Sequence, residues 1–155
     1  MTQANEVVVR AGDRDFVTEI SARGHTLIAD EPVESGGTNA GPTPYDYLAA
    51  ALGSCTAMTI RMFADRRGWP LEGVSVRLRH SRVHEEDCEG CEEGRVGIDQ
   101  LEREVELTGP LTEEQHEGLL RIADRCPVGQ TLARGIRIVP AQAARHAGDG
   151  TPPAA

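Results

Sequence analysis

The first part of the chain contains three short runs rich in apolar and β-forming residues, a pattern typical of β-strands. These runs are residues 6–10, 16–21 and 26–29, and Gly and Asp residues separate them. The pattern predicts a three-stranded N-terminal meander. A segment rich in Gly and Pro, EPVESGGTNAGPTP, follows and is predicted to be a loop.

The pattern then changes to that of one long helix, predicted over residues 44–67. Thr43 suits the N-cap, Pro44 suits the first helical position, and Asp46 falls where the acidic member of a capping box lies. Gly68 fits the C-terminal cap.

This long helix is apolar on every face. Five of its residues recur at intervals of three and four: Leu48, Leu52, Cys55, Thr59 and Met62. The remaining faces also carry apolar residues, namely Ala49, Ala50, Ala51, Ala57 and Met58. Because a helix that is apolar all round is normally buried all round, we expect a central helix that encloses the cysteine. One sheet layer would leave an apolar patch on a monomer, which a two-fold partner would cover.

The second half of the sequence predicts two long strands followed by a helix. Apolar residues alternate over residues 74–83 and 98–107, which indicates two strands joined by the acidic segment EEDCEGCEEG. A second capping box, formed by Thr112 and Gln115, begins the next helix.

The C-terminal part of the sequence predicts three further features. Pro127 interrupts the second helix and is expected to begin a short third helix that ends near Arg134. Residues 136–139 are predicted to form a last strand, and residues 141–155 a disordered tail. The order β-β-β-α-β-β-α-β, connected by hairpins, makes residues 1–140 a single α+β domain.

Composition and charge narrow the possible functions. The chain has 155 residues, of which 39% are apolar and 3% aromatic, enough for one domain with a substantial core. Its net charge of -9 argues against nucleic acid as a partner. The N-terminus has no signal-peptide pattern, and the apolar run at residues 48–60 is too short and interrupted to predict a membrane span. We therefore expect a cytoplasmic protein.

Four cysteines, at positions 55, 88, 91 and 126, carry the candidate chemistry. Without an export signal they are more typical of redox or metal groups than of structural disulfides. Taken alone, Cys55 is more typical of a small core residue than of a reagent. Cys126 precedes Pro127, and at a helix N-terminus the unpaired N–H groups and the helix dipole stabilise a thiolate. The spacing does not decide whether the two thiols meet in the core.

The acidic segment between the long strands poses a separate question. His80, His84, Cys88 and Cys91 have the spacing H-x3-H-x3-C-x2-C, which offers four ligands of the kind that bind zinc tetrahedrally. The same segment fits a local redox pair, or a solvated hairpin tip, since six acidic residues lie between positions 85 and 93. The solvated tip is the favoured interpretation and zinc the least favoured.

Two stretches of the sequence resemble a known family. GPTPYDYLAAALGSCTAMTIRMFADRRGWPLEGV and DRCPVGQTL are similar to motifs of the OsmC/Ohr family of hydroperoxide-reducing proteins, above all its OsmC-like, or redox-protein, branch. The resemblance extends over about residues 6–139. It implies an OsmC-like fold in which an antiparallel sheet wraps the long helix of an intertwined homodimer.

The resemblance also implies roles for two thiols. Cys55 would be the peroxidatic cysteine, which becomes a sulfenic acid, and Cys126 would resolve that acid to a disulfide. An organic hydroperoxide would be the substrate, and a dithiol, of the lipoyl type or another, the reductant. Helix-terminus physics instead favours Cys126 as the more acidic thiol, but a nearby Arg can outweigh a helix dipole, so attack is assigned to Cys55.

The chain departs from the family pattern in two places. In characterised members, an Arg from the N-terminal strands holds the thiolate, and a Glu at the start of the long helix holds that Arg. Here Asp46 is the nearest acid, and Arg14 and Arg23 are the candidate arginines. Asp46 precedes Cys55 by nine residues, about 13 Å along a helix axis, so only an intermediary could connect them. Gly129 stands where members of this branch commonly carry His.

The sequence therefore predicts a cysteine-based reductase of organic hydroperoxides, an antioxidant enzyme with a redox-active disulfide and no cofactor. Two alternatives remain. One is a non-enzymatic binding module of the same fold that holds a small apolar ligand. The other is a thiol or metal redox sensor that uses the His and Cys residues within 80–91.

Overall fold

The computed structural model describes residues 6–13, 15–83 and 98–139. Its elements in chain order are β1 (Val7–Ala11), β2 (Thr18–Ala22), β3 (His25–Ala29), a 3-10 turn (Val33–Ser35), α1 (Pro44–Arg67), β4 (Gly73–Val83), β5 (Ile98–Thr108), α2 (Glu113–Ala123) and α3 (Pro127–Arg134). The fold is α+β with antiparallel sheets, as the sequence predicts.

The strands form two separate sheets instead of the single layer expected. Strands β1, β2 and β3 pair in that order as an antiparallel meander, and β4 pairs with β5 in a long antiparallel hairpin. In the hairpin, Val76 lies opposite Val105 and Leu78 opposite Arg103. Since side chains alternate between the two faces of a strand, Arg103 shares a face with the apolar residues of β5.

The ends of α1 are those that the sequence predicts. The Thr43 hydroxyl accepts a hydrogen bond from the Asp46 N–H at 3.2 Å, and the Asp46 carboxylate accepts one from the Thr43 N–H at 2.9 Å. Gly68 ends the helix with a φ of 63°, in the left-handed region that glycine adopts most readily. A second capping box at Thr112 begins α2, also as predicted.

In the single chain, α1 leaves an apolar side exposed, as expected for a monomer, and its burial on every face stays a prediction that depends on a two-fold partner. Only one side is buried, by β4, α2 and α3, and its buried residues are Leu52, Gly53, Thr56, Ile60 and Ala64. Ile60 and Ala64 pack with Leu71, Leu119 and Ala123 in the core. Other apolar side chains of α1 are exposed, Met58 by 64% and Met62 by 54%.

An 18-residue window of α1 reaches a mean hydropathy of 1.2, so length and composition alone are compatible with a membrane span as well as with a core helix.

The prediction of a strand at residues 136–139 is wrong. These residues are irregular and exposed, Ile138 by 91%, and no described strand pairs with them. An apolar run forms a strand only where a partner strand satisfies its backbone hydrogen bonds. The tail predicted at 141–155 lies outside the described residues.

A buried carboxylate organises the loop that carries the chain from β3 to α1. Asp30 is 2% exposed and accepts hydrogen bonds from the N–H groups of Glu31, Thr38 and Ala40 and from the Thr38 hydroxyl, at 2.7–3.0 Å. These bonds, above all those from the Ala40 N–H and the Thr38 side chain, lower the pKa of Asp30 to about 2. The loop also needs Gly37, where a Cβ atom would lie 2.0 Å from the Glu31 carbonyl oxygen.

Candidate active site

Cys126 lies at the start of α3, where the Cys-Pro sequence predicts it. Pro127 occupies the first helical position, and Cys126 is the N-cap residue. Its sulfur accepts a hydrogen bond from the backbone N–H of Gly129 at 3.4 Å, and its side chain is fully buried. The thiol therefore takes the capping position that a hydroxyl or carboxylate oxygen usually fills.

Cys55 lies midway along α1, on the part of the helix that packs against α3, and is partly exposed. The thiols of Cys55 and Cys126 are both free, and they lie near enough for each to change the pKa of the other. The sulfur of Cys126 is also 4.0 Å from the carbonyl oxygen of Leu52, one turn before Cys55. Packing of α1 against α3 thus brings together the two cysteines that sequence spacing alone could not place.

The two thiols have different acidities. Burial, and next the neighbouring Cys126 sulfur, raise the pKa of the Cys55 thiol. Burial is also the largest single influence on Cys126 and raises its pKa, but hydrogen bonds from the Cys55 thiol, the Gly129 N–H, the Thr56 hydroxyl and the Val128 N–H together lower it. When the pair loses one proton, the negative charge therefore lies mainly on Cys126, as expected for a thiol at a helix N-terminus.

An arginine that sequence reasoning missed lies beside this pair. The Arg103 guanidinium donates to the Thr56 hydroxyl at 3.4 Å, to the Ala123 carbonyl oxygen at 3.0 Å and to the Asp124 carboxylate at 2.5 Å. The sequence held a signal for it, because alternation along β5 puts Arg103 on the same face as Leu101 and the valine and leucine after it. A charged residue on an otherwise apolar strand face usually has a specific partner.

The supporting residues suggested by the sequence do not assemble around the thiols in the described part of the chain. Asp46 caps α1, where its carboxylate binds the Thr43 N–H and hydroxyl. Arg23 is exposed in the turn between β2 and β3. Among the described residues, none forms a side-chain hydrogen bond or an ion pair with it. Arg14 lies outside the described residues.

A cavity of about 330 Å³ borders the start of α3. Its lining is mainly apolar, with a polar side, and comprises Tyr45, Leu48, Leu52, His80, Asp99, Leu101, Gly129 and Leu132. A Cβ atom on Gly129 would lie 3.3 Å from Leu52 Cδ1 and 3.8 Å from the Cys126 sulfur. The missing side chain at Gly129 therefore leaves the cavity close to the thiol pair.

The polar side of the cavity contains the one candidate zinc ligand that the structure describes. The His80 ring stacks on Tyr45 with 4.3 Å between ring centroids, and its Nε2 atom lies 3.0 Å from Asp99 Oδ1. This hydrogen bond is the main cause that lowers the pKa of Asp99. Within the described ranges, no three His, Cys, Asp or Glu residues are grouped as metal ligands would be. His84, Cys88 and Cys91 lie outside those ranges, so the zinc, redox-pair and solvated-tip interpretations stay predictions.

Comparison with solved structures identifies relatives of this fold. The OsmC-like protein from Mycoplasma pneumoniae superposes with a TM-score of 0.68 at 17% identity, covering 86% of this chain and 89% of that one. A protein from Legionella pneumophila, described as an organic hydroperoxide resistance protein OsmC, gives 0.61 at 20% identity, covering 84% and 89%. The organic hydroperoxide resistance protein OhrB of Bacillus subtilis gives 0.58 at 18% identity, covering 85% and 91%. At these identities the similarity establishes the fold.

Sequence comparison gives the family. No curated protein sequence matches this chain significantly. A family profile described as OsmC-like protein matches residues 37–140, which include α1, the long hairpin and both thiols of the pair. This match covers more than half of the sequence and confirms the resemblance found in the motifs, so the chain belongs to the OsmC-like family.

Proposed function

We propose that the protein is a thiol-dependent peroxidase that reduces organic hydroperoxides through Cys55 and Cys126. The observation that carries this proposal is the placement of two free thiols of unequal acidity, one partly exposed and one buried, on the helices α1 and α3 that pack together. At the family level, two structural neighbours are described as organic hydroperoxide resistance proteins, which supports the same class of substrate.

The first chemical step is attack by Cys55 on the peroxide. The neighbouring Cys126 thiolate accepts the Cys55 proton, and the Cys55 sulfur then attacks the outer oxygen of ROOH. The O–O bond breaks, Cys55 becomes a sulfenic acid, and the leaving alkoxide takes the proton back from Cys126 to form ROH. Cys126 is again a thiolate at the end of this step. The hydrogen bonds at the start of α3 stabilise this thiolate, so the pair begins and ends the step with its charge on Cys126.

The second step forms the disulfide. The Cys126 thiolate attacks the sulfenic sulfur of Cys55, an S–S bond forms, and hydroxide leaves and becomes water with a proton from solvent. A dithiol reductant then returns both cysteines to thiols and is itself oxidised to a disulfide. Burial of Cys126 beside Cys55 favours this reaction over further oxidation of the sulfenic acid, because the resolving thiol is already in contact.

The cavity next to Gly129 supports an organic substrate. Half of its lining residues are leucines, whose side chains favour the alkyl or aryl group of ROOH over a small polar peroxide. Cys55 is the more exposed of the two thiols, so the peroxide can reach it from the solvent side without displacing Cys126.

The exposed side of α1 supports a homodimer. Met58 and Met62 are 64% and 54% exposed on a helix whose opposite side forms the core. Soluble proteins rarely leave such apolar helix faces open to water. A second copy that presents the same face would cover it and complete the enclosure of the helix.

Mass spectrometry of the oxidised protein tests the proposal. Treatment of the reduced protein with cumene hydroperoxide is expected to give a Cys55–Cys126 disulfide within one subunit and to consume the peroxide. Cys55→Ser should abolish consumption, whereas Cys126→Ser should leave Cys55 as a trapped sulfenic or over-oxidised acid. Full activity in Cys55→Ser would contradict the mechanism.

A binding module of the same fold is the second candidate, because the cavity is large enough for a small apolar ligand. In that case the thiols are incidental, and peroxide should be consumed no faster by the wild type than by the Cys55→Ser/Cys126→Ser variant. A small apolar ligand would still bind to both proteins.

A further inference from the structure

Arg103 is an arginine that the fold turns inward. It lies on β5 opposite Leu78, and its side chain is only 21% exposed, whereas the side chain of Arg77 on the neighbouring strand is 59% exposed. Placing a guanidinium in this position requires partners that compensate for lost hydration. All of its described partners belong to the two segments that hold the thiols.

The first set of partners fixes the corner between α2 and α3. Arg103 donates to the carbonyl oxygen of Ala123, the last residue of α2, and to the carboxylate of Asp124. These residues precede Cys126 by three and two positions. A cation at the carbonyl end of α2 is also favoured by the helix dipole. Arg103 therefore holds the backbone that directs the Cys126 side chain towards α1.

The second partner connects Arg103 to the thiols through a hydroxyl. Thr56 follows Cys55 in the sequence and is fully buried, and its oxygen accepts from Arg103 while its single hydrogen points to the Leu52 carbonyl oxygen at 2.8 Å. That carbonyl oxygen is also the partner of the Cys126 thiol, at 4.0 Å. When Cys126 loses its proton, the Thr56 hydroxyl can turn its hydrogen to the sulfur, because Arg103 occupies the acceptor side of the oxygen.

We propose that Arg103 is the positioning residue of the thiol pair, and that it stabilises the Cys126 thiolate through Thr56 and through the α2–α3 corner. It supplies from β5 the positive charge that the sequence suggested an arginine of the N-terminal strands would supply. The role of Arg103 in catalysis rests on the proposed function. Its effect on the titration of the two thiols is measurable without any peroxide.

Few other charges act on Cys126. The described groups at this corner are Cys55 from α1, Arg103 from β5 and Asp124 at the end of α2, while His80 of β4 and Asp99 of β5 lie across the cavity that Gly129 lines. The side chain of Asp124 is 78% exposed, so solvent screens its charge more than that of Arg103. Arg125 lines a separate groove with Trp69.

Titration of the thiols tests the proposal. Cys88→Ser/Cys91→Ser in all proteins leaves only Cys55 and Cys126, and the ultraviolet absorbance of the thiolate then gives two titration midpoints for the pair. Arg103→Met is expected to raise the lower midpoint by about one pH unit, as expected for the loss of a nearby opposite charge. Thr56→Val should raise it in the same direction, and Arg103→Lys should restore most of the wild-type value.

Arg77→Met is the matched control, because it removes an exposed arginine that binds Glu104 on the same hairpin. It should leave both midpoints unchanged. The proposal is overturned if folded Arg103→Met has the wild-type lower midpoint, or if Arg103→Lys behaves like Arg103→Met. If Arg103→Met does not fold, Thr56→Val decides, and an unchanged midpoint there also overturns the proposal. A protein that passes this test but consumes no peroxide would disprove the peroxidase function alone.

Discussion

The backbone N–H of Gly129 donates a hydrogen bond to the Cys126 sulfur at 3.4 Å, and the same residue leaves open the cavity beside it. Gly129 thus both donates a hydrogen bond to the thiol and borders the cavity in which a substrate would lie. The sequence marks this position as a departure from the family pattern, where a histidine is common. In the structure the absence of a side chain at this position leaves the cavity open beside the thiol.

Gly129→Leu should therefore impair the reduction of bulky peroxides. The atoms nearest to such a Cβ belong to Leu52, at 3.3 Å, and to Cys126, whose sulfur is 3.8 Å away, but a longer side chain must extend into the cavity. We expect KM for cumene hydroperoxide to rise about tenfold, equivalent to loss of roughly 1.4 kcal/mol of binding, with a smaller change for hydrogen peroxide. Steady-state kinetics with both substrates measures the ratio.

Gly129→Ala is the control for this change. Alanine keeps the N–H that caps Cys126, does not reach across the cavity, and favours the helix by roughly 0.5–1 kcal/mol. It should therefore retain wild-type kinetics and fold at least as well as the wild type. Equal loss of activity towards both peroxides in Gly129→Leu would indicate damage to the thiols and contradict a substrate role for the cavity.

Asp30→Asn should reduce both stability and its dependence on acid pH. Because the folded-state pKa of Asp30 is lowered from 3.8 to about 2, its carboxylate stabilises the fold above pH 3.8 and loses that contribution as the pH falls towards 2. The wild type is expected to lose stability through this interval, and Asp30→Asn to start lower and lose less. Urea unfolding at several pH values measures both slopes.

Asp46→Asn is a suitable comparison, since it also changes a carboxylate that accepts backbone N–H bonds but lies at an exposed helix cap. It should lower stability less than Asp30→Asn does. An acid-unfolding profile of Asp30→Asn that runs parallel to the wild type would contradict the assignment of Asp30 as the acid-sensitive group of this loop.

Local signals in the sequence were enough to predict most element boundaries. Helix α1 begins after Thr43 and ends before Gly68 because capping and left-handed glycine geometry depend only on neighbouring residues. The start of α3 at Pro127 followed from the same kind of local rule. Family motifs then supplied the fold and the pair of thiols, which no periodicity in the chain could identify.

Features that depend on distant contacts were not predictable in this way. The partners of Arg103 lie 20, 21 and 47 positions away in the sequence, so nothing near Arg103 indicates them. The burial of α1 on one side, and the lack of a strand at residues 136–139, depend on which surfaces are available to pack. Apolar patterning alone indicates that a residue is buried, but not which residues bury it.

Replacement of Cys88 and Cys91 by Ser should leave the fold and peroxide reduction largely intact. The acidic sequence around them favours a solvated tip, and the proposed chemistry requires only the other two cysteines. Thermal unfolding and peroxide consumption should match the wild type within experimental error. Stoichiometric zinc in the purified wild type, or loss of activity in the double variant, would favour the metal or redox-sensor interpretation instead.

The apolar side of α1 predicts that the folded protein is an obligate dimer. In one subunit, Met58 and Met62 are more than half exposed, although they belong to the helix that carries the core residues Ile60 and Ala64. A two-fold partner that covers this side would make the unfolding midpoint rise with protein concentration. Met58→Glu would place two carboxylates in such an interface and should weaken it by on the order of 3 kcal/mol or more, whereas Met58→Leu should preserve it. Analytical ultracentrifugation of the three proteins measures the association directly. A wild type that is monomeric, folded and active at micromolar concentration would refute the dimer, because the exposed helix side would then be stable in water by itself.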